Sequence, residues 1–394
     1  MRQHGGGKSP GQVPHLRRAG LQVHQNLLGP LPALSRNSLP EKPAFQRALL
    51  RWYETHQRNL PWRRNADPYR ILVSEFMLQQ TRVETVIPYY QRFLVLFPTM
   101  KNLARAPLQK ILKAWAGLGY YARARNLHRA AKTICRELGG KIPGTKAELL
   151  RLPGFGPYTA GAVASLAFNQ PVAALDGNVK RVLGRLFPVF NDPRRASARK
   201  DLEEFLEGWI PIGRASDFNQ ALMDLGAAVC IPSRPKCSAC PVLKFCAAKG
   251  ELPDKKPTVR KFRKETWAVA LVEREGRFLL HRNEAQGLLA GLWQFPKVVA
   301  ERNLGKDTDC RDAGKLLKKY LLQDFGLRVK IISQLPEQEH FFTHIHALMK
   351  PYLCFLIDGA HPPPLHKSAR WVKPSGFSRY PISTAMRKIA ELIS

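Results

Sequence analysis

Two carboxylates, Glu75 and Asp176, stand where a carboxylate could do chemistry. Glu75 lies in SEFMLQQT, with Ile71, Leu72 and Leu78 about one helical turn away. On such an apolar stripe a carboxylate is desolvated, its pKa rises, and it suits general acid work near neutral pH. The competing reading is a glutamate at the stripe's border that reaches solvent. Asp176 lies in ALDGNVKRVLGRLF, just ahead of an evident helix. It reads either as a plain N-cap or as a carboxylate beside a developing positive charge.

Cys230, Cys237, Cys240 and Cys246 follow the spacing C-x6-C-x2-C-x5-C. Four thiolates so spaced can surround one [4Fe–4S] cluster, with zinc as the rival. Cys135, Cys310 and Cys354 are scattered. The clustering argues for a metal or cluster site in a reducing cytoplasm and against a disulfide framework. Arg234 and Lys236, between the first two ligands, suit a phosphate contact. A third motif is LPGFGPYTAGAV, residues 152–163. A helix, a glycine turn and a second helix opened by Pro157 make a helix–hairpin–helix. Gly154 and Gly156 let backbone N–H groups approach a phosphate, and the second helix offers its positive end. Such a hairpin holds the nucleic-acid backbone without reading bases. An ordinary helix–helix connection is the other reading.

The elements that must position these groups fall into regions. Residues 1–40 carry no Asp or Glu and show no sustained period, so they read as a disordered basic arm or a misassigned start. A transit peptide shares that composition, but the amphipathic helix it needs is poor. Residues 41–252, including the cysteine loop 230–246, read as helix after helix. Residues 253–264 are a basic, proline-bearing linker. Residues 265–394 alternate as strands around one helix, RDAGKLLKKYLLQDFG, and give an α+β domain. TWAVALVERE and GRFLLHRN pair as a hairpin, and HFFTHIHALMK and PYLCFLID read as separate strands.

Charge narrows the function. Lys plus Arg number 63 against 30 Asp plus Glu, a formal charge of +33. Such an excess self-repels unless a polyanion is the partner; nucleic acid comes first and an anionic membrane second. No apolar run approaches the ~20 residues that span a bilayer, and no secretory signal opens the chain. A cytoplasmic location is therefore expected, nucleoid-associated in a bacterium.

LPWR, SEFMLQQTRVETVIPYY, WAGLGYYARARNLH, LPGFGPYTAGAVASLAF, LDGNVKRVLGRL and FNQALMDLGAAVC together resemble adenine DNA glycosylases of the MutY type. These belong to the helix–hairpin–helix superfamily that carries an iron–sulfur cluster. The resemblance spans residues 42–247 almost without a gap. It implies an all-α glycosylase domain with a [4Fe–4S] loop, and cluster ligation by the four clustered cysteines. It implies a monomer that acts on duplex DNA holding adenine opposite 8-oxoguanine or guanine. Glu75 would protonate adenine, Asp176 would oppose the sugar cation, and Asn178 would hold the hydrogen-bond network. Gln80 and Tyr120 would wedge into the duplex. Related endonuclease III-type enzymes carry a nucleophilic lysine at the position of Tyr158. A phenol cannot form a Schiff base, so the resemblance implies a monofunctional glycosylase that uses water. TWAVALVEREGRFLLHRN and GLLAGLWQFP resemble the Nudix-like domain that reads 8-oxoguanine in this family. Of the carboxylates a Nudix hydrolase needs, KYLLQDFGL (319–327) keeps only Asp324, so hydrolase chemistry is expected to be lost. Phe342-Thr343-His344 stands where the family has Phe-Ser-His, which puts Thr343 and His344 at the lesion. Repair-protein partners, a processivity clamp among them, suit the family, but no clear motif for them is present. The rivals are another mismatch glycosylase or a lyase of the same superfamily, a noncatalytic DNA-binding protein, and a Nudix hydrolase.

Overall fold

Apolar residues at three-and-four spacing build one helix after another from Lys42 onward. The computed structural model describes residues 41–187, 198–250, 262–284, 287–302, 313–357 and 368–393. The expected arm over 1–40, Cys310 and residues 253–261 of the expected linker lie outside the described residues. The helices are α1 (Lys42–His56), α2 (Pro68–Leu78), α3 (Val83–Leu96), α4 (Met100–Arg105), α5 (Leu108–Trp115) and α6 (Ala122–Glu137). They continue with α7 (Lys146–Leu149), α8 (Pro157–Phe168), α9 (Gly177–Leu186), α10 (Ala198–Trp209) and α11 (Ala215–Asp224). A π-helical turn, Leu225–Val229, carries the chain from α11 to Cys230.

α2 is the element that matters most for the site. Asp67 caps it, its carboxylate accepting from the N–H groups of Tyr69 and Arg70, with Pro68 at the first position. Residues 69–77 are buried except Arg70, so α2 is enclosed rather than amphipathic. It stops at Leu78 instead of running through Thr81 as its sequence suggests. Gln80 adopts φ +59°, and the carbonyls freed at the helix end are taken by the Arg123 side chain.

The C-terminal domain comprises β1 (Arg263–Arg274), β2 (Arg277–Arg282), β3 (Trp293–Gln294), β4 (Lys297–Arg302) and α12 (Ala313–Phe325). It continues with β5 (Val329–Gln334), β6 (Gln338–Phe341), β7 (Ile345–Leu356), β8 (Ala369–Val372) and α13 (Thr384–Ala390). β1 begins two residues inside the stretch expected to be linker. The β1–β2 hairpin turns at Glu275 and Gly276, both at positive φ, the conformation a two-residue turn requires. The sheet order is β3-β2-β1-β7-β5, with β4 on β1, β6 on β7 and β8 on β2. β1 and β7 run parallel from Arg263↔Ile345 to Glu273↔Phe355, which makes β1 a centre strand buried on both faces.

The separate strands expected over 340–358 are a correction. β7 runs unbroken through Pro351, whose carbonyl still accepts from the Leu335 N–H. Phe342, Thr343 and His344 are not strand residues but the turn between β6 and β7.

α12 covers one face of the sheet, packing Leu317 and Leu321 with Ala268, Ala270 and Val272. The other face, through Trp267, Val269 and Leu271, joins the core of the helical domain. The junction is also polar. Gln109 donates to the Gly291 carbonyl at 2.9 Å and accepts from the Trp293 indole at 3.0 Å, and Arg125 donates to the Ala290 carbonyl at 2.7 Å.

Candidate active site and cysteine loop

α2, the start of α8 and the start of α9 meet at a cleft of about 800 Å³ lined by Glu75, Gln80, Gly154, Tyr158, Asp176 and Asn178. Glu75 is 3% exposed, so it does not reach solvent from the stripe's border. The Tyr158 hydroxyl donates to Glu75 Oε2 at 2.8 Å. Burial pushes Glu75 from an ordinary 4.5 up to about 7. The negative charge of Asp176 adds to the rise, while the Tyr158 bond and the Arg63 cation pull it back. A carboxylic acid with that pKa can hold a proton at neutral pH and give it up within the cleft.

Asp176 turns out to be a cap and a cleft residue at once. Oδ1 accepts from the Val179 N–H at 2.6 Å, closing the first turn of α9, and Oδ2 accepts from Asn178 Nδ2 at 3.1 Å. Burial raises its pKa, and these bonds, with the Arg181 cation, oppose the rise. The pair is therefore differentiated by environment: Glu75 has one hydroxyl donor in an apolar setting, Asp176 a fuller set of donors.

Several supporting residues escape a reading of the sequence. Asp224, 1% exposed, accepts from Arg63 at 2.6 and 2.9 Å and from Arg58 at 2.6 Å. This fixes the end of α11 against the PWR segment and brings Arg63 near Glu75. Arg181 donates to Asn178 Oδ1 at 2.9 Å, to the Gly226 carbonyl at 2.7 Å and to the Cys230 carbonyl at 2.9 Å. The π turn thus packs directly on Asn178; a Cβ at Gly226 would lie 2.8 Å from Asn178 Cβ. A π turn beside a functional group is a common placement. Only the half-buried setting of these arginines marks them out, and a basic sequence hides that.

The hairpin forms where the glycine spacing put it. Thr145 caps α7, accepting from the Glu148 N–H, and Gly156 stands at the N-cap of α8. Gly154 has φ +81°, and a Cβ there would fall 2.4 Å from Asn126 Cβ, so any other residue would be strained and would force Asn126 to shift. Tyr120 is 40% exposed at φ +49°, so its ring stands clear of the core. It and Gln80 are non-glycine residues in the left-handed region, a conformation that concentrates at functional sites. Arg123, 6% exposed, lies beneath both.

A second pocket, of about 550 Å³, opens between the two domains and is lined by Tyr120, Arg125, Leu288, Phe341, Thr343 and His344. The β6–β7 turn thus faces the loop of Tyr120. The four clustered cysteines line one small, largely apolar cavity under α9. Arg185 reaches Cys230 Sγ at 3.2 Å, and burial pushes the Cys240 thiol up to about 11. Among the described residues no three His, Cys, Asp or Glu side chains converge tightly enough to grip a single metal ion. Four thiols on one cavity are the donor set that either zinc or an iron–sulfur cluster takes.

Residues 73–208 match the HhH-GPD superfamily base excision DNA repair protein family, and residues 267–392 match the NUDIX domain. Adenine DNA glycosylase of Rattus norvegicus is 36% identical over 90% of this chain and 78% of its own length. The human adenine DNA glycosylase is 36% identical over 89% and 74%, and that of Buchnera aphidicola from Acyrthosiphon pisum 34% over 77% and 91%. Among solved structures, a thermostable thymine-DNA glycosylase superposes with a TM-score of 0.50 at 32% identity, over 54% of this chain and 97% of that one.

Proposed function

The chain belongs to the adenine DNA glycosylases, base-excision enzymes of the HhH-GPD superfamily, and from that premise we propose that it removes adenine paired with 8-oxoguanine, and with guanine, from duplex DNA. The observation that carries the reading is the buried Glu75, held by Tyr158 in one cleft with Asp176. DNA binds first through phosphates, Gly154 and Gly156 offering backbone N–H groups at the start of α8. Gln80 and Tyr120 enter the stack and the adenine leaves it. Protonated Glu75 gives its proton to adenine N7, and the glycosidic bond breaks with both electrons going to the base. Asp176 opposes the resulting oxocarbenium-like sugar. Glu75, now a carboxylate, takes a proton from the water that adds to the sugar. Tyr158 orients Glu75, and no Schiff base forms at a phenol. Thr343 and His344 read the oxidised guanine in the pocket between the domains.

We assign the cysteine cavity to a [4Fe–4S] cluster held by Cys230, Cys237, Cys240 and Cys246. When bound, it supplies a fixed frame for the loop of Arg234 and Lys236 and no step of the base release.

The rival reading, release of thymine or another base, draws on the thymine-DNA glycosylase likeness. That protein maps almost entire onto about half of this one, so its likeness leaves the rest of the chain unaccounted for. Single-turnover base release from duplexes holding A:8-oxoguanine, A:G, A:T and G:T decides between them. Adenine release from the first two, abolished by Glu75→Gln, is expected. Release of thymine, or none, would discard the substrate assignment.

A further inference from the structure

One buried cation lies beneath two exposed loop tips, that of Gln80 at the cleft and that of Tyr120 at the pocket between the domains. Arg123, near the start of α6, is 6% exposed. Its Nη1 donates to the carbonyls of Phe76 at 3.2 Å, Met77 at 2.7 Å and Gln79. Its Nη2 donates to Thr81 Oγ1 at 2.9 Å and to the carbonyls of Leu118 at 3.3 Å and Gly119 at 3.2 Å. Its backbone N–H donates to the Tyr120 carbonyl at 2.9 Å. The guanidinium carbon sits 5.6 Å from the Trp115 ring centroid and 5.3 Å from that of Tyr120.

The pattern of partners is what matters. Arg123 bonds the residue before Gln80 and the residue after it. It bonds the residue before Tyr120 and, through its backbone, Tyr120 itself. A non-glycine residue at positive φ persists only where its surroundings over-determine it. Here one planar fork supplies that constraint to two such residues, from two loops far apart in sequence. A lysine would keep the charge but could not span both sets of acceptors.

We propose that Arg123 is a positioning residue that sets Gln80 and Tyr120 as a single wedge, so that base extrusion depends on it while the chemistry of Glu75 does not. The proposal rests on the wedge reading of Gln80 and Tyr120. It goes beyond that reading by making the two tips one mechanical unit.

The test uses Arg123→Lys in the full chain, with 2-aminopurine at the target position of a duplex opposite 8-oxoguanine. Its fluorescence rises when it leaves the stack. With the fork gone and carbonyls left unpaired, the rise and the single-turnover release of adenine should both fall roughly 10- to 100-fold. Release from a duplex in which the adenine is an unpaired bulge should recover most of that loss, and the pH midpoint of release should stay where it is in the parent enzyme. A merely structural defect would depress both substrates alike and would overturn the proposal. Tyr120→Ala and Gln80→Ala test the underlying reading: if neither changes extrusion, the wedge is wrong and the proposal falls with it. If they do and Arg123→Lys does not, the wedge stands and Arg123 is not its support. In the double variant Arg123→Lys/Tyr120→Ala the losses should combine to less than their product. Should Arg123→Lys fail to fold, Thr81→Val removes one half-buried acceptor and carries the same comparison, with a smaller loss expected on the duplex alone.

Discussion

Glu75→Gln should inactivate the enzyme and also make it more stable, by an amount that depends on pH in a definite way. Burial lifts Glu75 from 4.5 to about 7, a displacement of about 2.5 pH units. At about 1.4 kcal/mol per unit this is worth about 3–4 kcal/mol. The folded protein holds this proton more tightly than the unfolded chain does. The corresponding stabilisation is complete below about pH 4.5 and is lost as pH rises through 7. Above pH 7 the parent protein carries an ionised carboxylate that is 3% exposed, and the variant carries a neutral amide. The amide oxygen can still accept from Tyr158, so that bond does not confound the comparison. Urea midpoints of the two proteins, measured side by side from pH 5 to pH 8, provide the assay, since terms common to both cancel. The gap should be small at pH 5, open with rising pH, and level off at about 3–4 kcal/mol by pH 8. A gap that is flat with pH, or a parent protein that is the more stable at pH 8, would refute the assignment of Glu75 as a carboxyl protonated by burial.

Tyr158→Phe removes a donor that favours ionised Glu75, so the alkaline limb of the single-turnover pH profile should move up by roughly one pH unit; a limb that stays or moves down contradicts the role given to the hydroxyl. Arg63→Ala leaves Asp224, 1% exposed, with Arg58 alone of its two cations, and should cost about 3–5 kcal/mol by denaturant midpoint; a loss below 1 kcal/mol would mean the network is not under the strain of burial. Gly154→Ala combines a φ of +81° with a clash on Asn126, so affinity for undamaged duplex should fall and the slope of log affinity against log salt should flatten by about 1. Equal binding by the two proteins would remove the hairpin from the DNA contact.

Much of this architecture can be read from the sequence because local chemistry dictates it. Asp67-Pro68 starts α2, glycine at 154 and 156 bends the hairpin, and Glu275-Gly276 turns the first two strands. The apolar neighbours of Glu75 leave burial and a solvent-reaching border position both open, and the packing of α2 decides for burial. What stays hidden is chemistry made by contacts distant in sequence. Arg123 and Arg181 look like members of a solvated basic face, and nothing nearby says that their partners include carbonyls more than forty residues away. α2 ends early for the same reason: Arg123 takes its last carbonyls, and helix propensity in LQQT does not record that. The π turn is invisible because Leu-Gly-Ala-Ala-Val would continue a helix in most settings. Pro351 misleads in the opposite sense. It reads as a strand break, yet β7 needs only its carbonyl there.

The apolar core that runs from Leu112 and Trp115 to Leu289, Trp293 and the α13 residues Met386 and Ile389 has no seam between the two domains. Leu112 packs so close to Gly291 that a Cβ there would meet it at 3.2 Å. The cleft and the interdomain pocket are therefore expected to share one melting transition: a cavity cut beneath the sheet should loosen the helices as well, and amides on both sides should exchange in the same cooperative opening. On the proposed reading, in which the two pockets meet the two members of one base pair, this continuity sets their spacing as a fixed gauge. The DNA, rather than the protein, must deform to meet both at once.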